Sequence, residues 1–369
     1  MKICFILQRR FAYLGHVMAL IFQKKYGINE FCGYVHLRTS FEFLKSQSDI
    51  NYTRLLLDED IHKEYKNEKL DLDFLKKLEK EYGIPNLWPY IEADRLVRYN
   101  QLLREYPYNT PNYTHEEMMR IFQVKARAIM KFLEEETPDV IIFTVIGGID
   151  ALLLYHIAKK KGVRTLTIFS ARTENRYSVH EDYRNLGSVF AENNNDKDIN
   201  AECRGKARDF LDNFRRKPRP YTDFDYVKMK YTAGWKRLNF LSPMRMIRGL
   251  IYFIKFSIDY FRDKNKDDYS TIKPWYYLLD RIKRRTRIIV DFDDLYDNID
   301  KSEDYMFFPL QYEPEESIIM AAPFFKDQLW VIKQVACSLP LLCKLYVKEH
   351  PAMSGYRSRR YYKELKKIP

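Results

Sequence analysis

The chain has 369 residues, long enough for two domains and a sizeable core. Hydrophobic residues make up 46% and aromatics 15%, which excludes a disordered chain. A formal charge of +12 favours an anionic partner: a sugar nucleotide, an acidic glycan, a lipid phosphate or a membrane surface. Nucleic acid is not expected, because zinc-finger spacings, RNP-like sequences and helix-turn-helix patterns are missing.

Met1-Lys2 runs straight into the apolar stretch Ile3 to Leu7, which is too short for a signal peptide. The cysteines, Cys4, Cys32, Cys203, Cys337 and Cys343, are scattered and odd in number, as expected of small buried hydrophobes in a reducing compartment. Both features predict a cytoplasmic protein. The pattern predicts a strand over 2–7, a loop over 8–16, a helix over 17–26 and a second strand over 31–37. A largely helical stretch with Pro and Trp landmarks covers 58–106. It is followed by a helix over 115–136, a strand over 140–146, a Gly147-Gly148 turn, a helix over 150–161 and a strand over 163–169. This alternation predicts a doubly wound α/β lobe over 1–192, with a helical insertion at 58–136.

Three features of that lobe admit two readings each. Gly15-His16 is expected to open a helix, where the histidine can act as a base or be merely structural. Gly147-Gly148 can bring backbone close to an anion at a helix N-terminus or simply make a tight turn. Arg172 and Arg176 can bind an acidic acceptor or lie idle on the surface.

Residues 193–300 change character. Asn193 to Tyr221 is polar and charged and marks a boundary. The following segment, 240–262, is apolar and aromatic with Arg245, Arg248, Lys255 and Asp259 along one stripe. It is too charged to span a bilayer and reads either as an interfacial helix contacting a membrane surface or as a connector packed on the core. Asp291-Phe292-Asp293 matches an Asp-x-Asp metal motif, but aspartates are dense there and no strand pattern supports it, so no metal is expected.

From 301 the chain is again α/β. Tyr305 to Leu310 reads as a buried strand, Lys326 to Leu339 as an amphipathic helix and Leu341 to Val347 as a second strand. A right-handed crossover of this kind makes the two strands parallel neighbours. The loops at their carboxyl ends, Gln311 to Ser317 and Lys348 to Pro351, then lie side by side on the edge where open α/β sheets bind ligands.

The ordered set Phe-Pro-Leu-Gln (308–311), Pro-Glu-Glu-Ser (314–317), Asp327-Gln328, Lys-Glu-His-Pro (348–351) and Arg357 resembles the bacterial capsule polysaccharide biosynthesis proteins. The resemblance continues upstream in Leu-Leu-Asp-Glu-Asp (56–60), Glu79 to Trp88, Asp94-Arg95 and Thr137-Pro138-Asp139. These proteins are GT-B glycosyltransferases related to enzymes using CMP-activated Kdo and sialic acid. The resemblance therefore implies two Rossmann-like lobes, a metal-independent transfer from a nucleotide sugar, a glycan or lipid-linked acceptor, and a place on the inner face of the cell membrane. It also implies that His350 contacts the nucleotide phosphate.

Glycosyl transfer needs donors for the departing phosphate and carboxylates near the cationic sugar. Lys348 and His350 fit the first need, and Glu313, Glu315 and Glu316 the second. Gln311 and Gln328 can read a base or hydroxyl, and Arg357 can clamp an acidic sugar's carboxylate or lie on the surface of a basic tail. Asp327 is expected to cap a helix. His16 and Asp94 are both open as the acceptor-side base. The resemblance implies further strands and a small-residue loop beyond Pro369, so 301–369 is expected to be a partial nucleotide-sugar-binding lobe. The alternative is a non-catalytic glycan-binding or assembly protein that keeps the fold without a complete donor site.

Overall fold

The computed structural model describes residues 1–82, 86–100, 110–171, 176–185, 201–218, 240–290, 292–300, 302–353 and 355–368. A six-stranded sheet is built from β1 (Lys2–Leu7), β2 (Glu30–Val35), β3 (Tyr52–Leu57), β4 (Val140–Phe143), β5 (Arg164–Ser170) and β6 (Tyr177–His180). Its order is β3-β2-β1-β4-β5-β6, parallel except for β6, which pairs antiparallel with β5. The lobe is thus Rossmann-like α/β. The central strands are apolar throughout because both faces are covered. Ile3, Phe5 and Leu7 of β1 point into one core with Phe31 and Val35, while Cys4 and Ile6 point into the other with Tyr34 and Phe143.

The first core is closed by α1 (Phe11–Tyr26) and α2 (Arg38–Ser46). The second is closed by α3 (Asp58–Lys63), α4 (Leu72–Glu81), α5 (Trp88–Ala93), α6 (Arg95–Tyr99), α7 (His115–Glu136) and α8 (Ile149–Lys160). Helix α7 starts where expected because Thr114 and Glu117 form a capping box. The Glu117 N–H donates to Thr114 Oγ1 at 3.3 Å, and the Thr114 N–H donates to Glu117 Oε2 at 2.7 Å. Helix α1, by contrast, begins six residues earlier than the sequence suggests, at Phe11 rather than 17. Gly15 therefore lies inside the helix, where its missing side chain lets α1 approach β1: a Cβ there would stand 2.5 Å from Leu7 Cδ2.

Two strands escaped the sequence pattern. β3 is an edge strand that buries only Leu57 fully, so it lacks the apolar run of its neighbours, and β6 is the opposite, antiparallel edge.

In the middle region α9 (Ala201–Arg216) has no buried residue. Helices α10 (Pro243–Arg262) and α11 (Pro274–Val290) form a hairpin through Phe256 on Tyr277 and Tyr260 on Trp275. No residue of α10 is buried, and its half-buried Phe256 and Tyr260 pack on α11. No helix among the described residues is long and apolar enough to cross a membrane.

The predicted crossover is present. β7 (Tyr305–Pro309) and β8 (Lys344–Lys348) pair in parallel, joined through α12 (Glu316–Ile319) and α13 (Gln328–Cys337), and α14 (Arg359–Leu365) follows. Asp327 caps α13 by accepting from the Trp330 N–H at 3.1 Å, as expected.

Candidate functional site

The strand order reverses between β1 and β4, so the loops leaving their carboxyl ends diverge and open a crevice. Beneath that edge lies a buried group of charges. Lys125 Nζ bonds both oxygens of Asp58, at 2.7 and 2.9 Å, with lysine and aspartate alike fully buried. Tyr34 donates its hydroxyl to the same carboxylate. Tyr269 closes the group, with Lys125 Nζ 4.5 Å from its ring centroid and 3.3 Å from its hydroxyl. Burial works against the Lys125 ammonium, but the charges of Asp58, Asp150 and Asp94 overcome it and raise its pKa.

A second pair sits beside it. His36 Nε2 lies 2.5 Å from Asp150 Oδ2, an ion pair outside good hydrogen-bond angles. Burial opposes the charge on each partner, yet their mutual attraction prevails. The His36 pKa is raised, and Asp150 is held down to about 2.

Asp94 completes the set. Its Oδ1 caps α6 by accepting from the Leu96 and Val97 N–H groups, while its buried Oδ2 has no hydrogen-bond partner among the described residues. Gly148, with φ of 110°, adopts a backbone that suits glycine, and a Cβ there would meet Asp150 Oδ1 at 3.0 Å and Asp94 Oδ2 at 3.7 Å. Gly147-Gly148 is thus a place where backbone passes close over two carboxylates. At the mouth, partial burial and then the charge of Arg95 lower the Arg9 pKa. Neither arginine has a carboxylate partner among the described residues.

The carboxyl-terminal loops meet this edge. Met320, just after α12, packs on the second core and lies 3.7 Å from the Cβ position of Gly147. Lys326 Nζ bonds Glu92 Oε2 at 2.8 Å. Within these loops Arg357 has a different task from the expected carboxylate clamp. It is fully buried and binds Glu349, Glu313 (2.9 Å) and the Gln311 carbonyl (3.0 Å), tying the loop after β7 to the loop after β8. Its guanidinium is therefore engaged inside the chain, and Glu313 is neutralised by it rather than offered to a ligand. Glu315 is exposed at the start of α12, and Glu316 opens that helix half-buried.

His350 Nδ1 accepts from the Ala352 N–H at 3.1 Å, which places the proton of the neutral ring on Nε2. Lys348 is exposed at the end of β8 and has no ion-pair partner among the described residues. Gln328 is buried. Its Oε1 accepts from the Gln311 N–H at 2.6 Å, and its Nε2 has no hydrogen-bond partner among the described residues. Both glutamines line a cavity of about 220 Å³ whose other walls are Phe308, Ile318, Ala322, Phe325 and Val331.

His16 is not part of either edge. It is 4% exposed, bound through Nδ1 to Tyr52 Oη at 3.1 Å and through Nε2 to Asp49 at 3.1 Å, near the amino end of β3. The sequence placed it at a helix start; the earlier start of α1 carries it into the body of the helix. Arg176 is exposed beside β6, while Arg172 and Asp291 lie outside the described residues. Among the described residues no three His, Cys, Asp or Glu side chains gather as metal ligands.

Nothing in the sequence pattern joins Lys125, Asp58, Asp150, His36 and Tyr269 as a unit. One signal was available: Lys125 stands on the apolar stripe of α7 with Ile121, Phe122 and Ile129, where an unpaired ammonium is costly. The chain matches no protein-family model, no curated protein and no solved structure.

Proposed function

We propose that the chain is a GT-B-type glycosyltransferase of capsule or surface polysaccharide synthesis. Its donor is a CMP-activated acidic sugar such as Kdo, and its acceptor a glycan or lipid-linked glycan. The observation that carries this reading is that loops from the carboxyl ends of two parallel sheets meet, Met320 against Gly147 and Lys326 on Glu92. Ligands of open α/β sheets bind at that edge, and a donor and an acceptor need facing edges.

In this reading Lys348 and the Nε2–H of His350 receive the negative charge that develops on the departing CMP phosphate. The cavity with Gln311 and Gln328 takes the base, the unpartnered Gln328 Nε2 donating to a pyrimidine carbonyl. Arg9 and Arg95 attract the carboxylate of an acidic sugar. The acceptor oxygen attacks the anomeric carbon, the bond from that carbon to the phosphate oxygen breaks, and the acceptor's proton passes to Asp94 Oδ2. Asp94 is preferred to His16 as base because its Oδ2, beside Gly148, has no hydrogen-bond partner among the described residues, whereas both His16 nitrogens are occupied.

Calorimetric titration with CMP, UMP and ADP tests the donor side. The expected result is saturable CMP binding weakened at least about tenfold in His350→Ala, the size of one charge-assisted phosphate contact. Absence of nucleotide binding, or an unaffected His350→Ala, would refute the reading and favour a non-catalytic glycan-binding or assembly protein.

A further inference from the structure

Helix α10 presents an apolar face with nothing on it. Ile247, Leu250, Ile251, Ile254, Ile258 and Phe261 follow the spacing of one helical face, and each is between 44% and 69% exposed. On one flank of this stripe Phe253, Phe256 and Tyr260 are half-buried, the last two against α11. On the other flank Arg248, Lys255 and Arg262 recur every seven residues, a row of three cations with the exposed Asp259 as the one carboxylate beside it. None of the three has a carboxylate partner among the described residues. At ~1.5 Å per residue the face from Ile247 to Phe261 is roughly 21 Å long, far more apolar surface than a lone exposed side chain leaves.

The hairpin carrying this face is fixed to the body at both ends. In the turn between α10 and α11, Tyr65 Oη donates to Asp268 at 2.8 Å, Lys66 pairs with Asp268 at 2.9 Å, and Tyr269 is buried against Lys125. Along α11, Arg284 donates to Tyr356 Oη at 2.8 Å and Arg287 to the Tyr356 carbonyl. The hairpin that carries the stripe is therefore tied to the body at its turn and along α11.

We infer that α10 lies in the interface of a bilayer carrying anionic lipid, with its aliphatic stripe among the acyl chains and Arg248, Lys255 and Arg262 at the headgroup phosphates. The charge selects this occupant. An aliphatic stripe edged by an unpaired row of cations matches a surface that is apolar below and anionic at its rim, and the helix is too short of apolar residues to cross it. A second copy of the chain would bring the same cations against one another. This inference stands apart from the transferase reading, since it uses neither His350 nor Asp94.

Vesicle flotation of the full chain tests it, with phosphatidylcholine vesicles alone and with added phosphatidylglycerol. Wild type is expected to float with the anionic vesicles, to float less as salt rises, and to stay behind with phosphatidylcholine alone. Arg248→Glu/Lys255→Glu/Arg262→Glu and, separately, Leu250→Glu/Ile254→Glu are expected to lower the bound-to-free ratio at least about tenfold. Because all five side chains are exposed, both variants should keep the wild-type melting temperature, which confirms folding. Wild type failing to float, or either variant floating as well as wild type, would overturn the inference. So would sedimentation that reveals a dimer lost in the Leu250→Glu/Ile254→Glu variant without vesicle binding by wild type, which would assign the stripe to a second copy.

Discussion

Lys125→Met tests whether the charges under the sheet edge hold the lobe together. Lys125 and Asp58 are both fully buried and joined by two hydrogen bonds of 2.7 and 2.9 Å. Methionine fills nearly the same volume, so the change removes the ammonium with little change in packing. Asp58 then keeps the Tyr34 hydroxyl but loses its directly bonded cation beside Asp150 and Asp94. Removing one partner of a buried pair costs about 3–5 kcal/mol. That is a large part of a typical stability of roughly 5–15 kcal/mol. Asp58→Asn is expected to cost less, because the Lys125 ammonium still has the Tyr269 ring and the charges of Asp150 and Asp94. The double variant should lose less than the sum of the two, with a coupling of about 2–3 kcal/mol. Urea unfolding followed by tryptophan fluorescence and circular dichroism measures all three variants. A Lys125→Met cost below about 1 kcal/mol, or strict additivity, would refute the claim that the pair is structurally coupled.

Other expectations follow from the same geometry. The raised His36 pKa makes its contribution to stability complete below its unfolded value of 6.5 and lost as pH rises through the higher folded value. Asp150, held down to about 2, contributes above its unfolded value of 3.8 and loses that contribution as pH falls toward 2. The advantage of wild type over His36→Gln in urea melts should therefore be greatest between about pH 4 and 6.5 and shrink at pH values well above 7; an advantage that grows with alkaline pH would contradict the pairing. Arg357→Met leaves Glu313 and Glu349 nearly buried without a cation and should cost about 3–5 kcal/mol. Arg357→Lys should restore little of it, since one ammonium cannot reproduce the fork; hydrogen exchange in both loops reads the outcome, and unchanged protection would argue against the tie. Gly15→Ala would force a Cβ against Leu7 and should destabilise by about 1–3 kcal/mol in spite of alanine's higher helix propensity. A rise in melting temperature would show that α1 can shift away from β1.

Residue pattern alone determined the elements whose apolar pattern is locally continuous, although β7 proves largely exposed. β1 and β7 are short apolar runs, α7 has both a capping box and a continuous apolar stripe, and the β7–α13–β8 crossover follows from alternating periods within a short span. Local pattern could not reach β3, because an edge strand buries one side and reads as mixed, nor the true start of α1, which follows the polar Gln8-Arg9-Arg10 without a side-chain cap to mark it. The polar residues were harder still. In the sequence Arg357 belongs to a basic tail and Lys125 is one lysine among many; only folding makes the first a bracket between two loops and the second the counter-ion of Asp58. Tertiary structure decided these roles because ionic partners are chosen by proximity in three dimensions. Asp58 and Lys125 are 67 residues apart, and Lys125 and Tyr269 are 144 apart. Hydrophobic periodicity is written within a few turns of chain, whereas the cost of burying a charge is settled by whatever group the fold brings beside it.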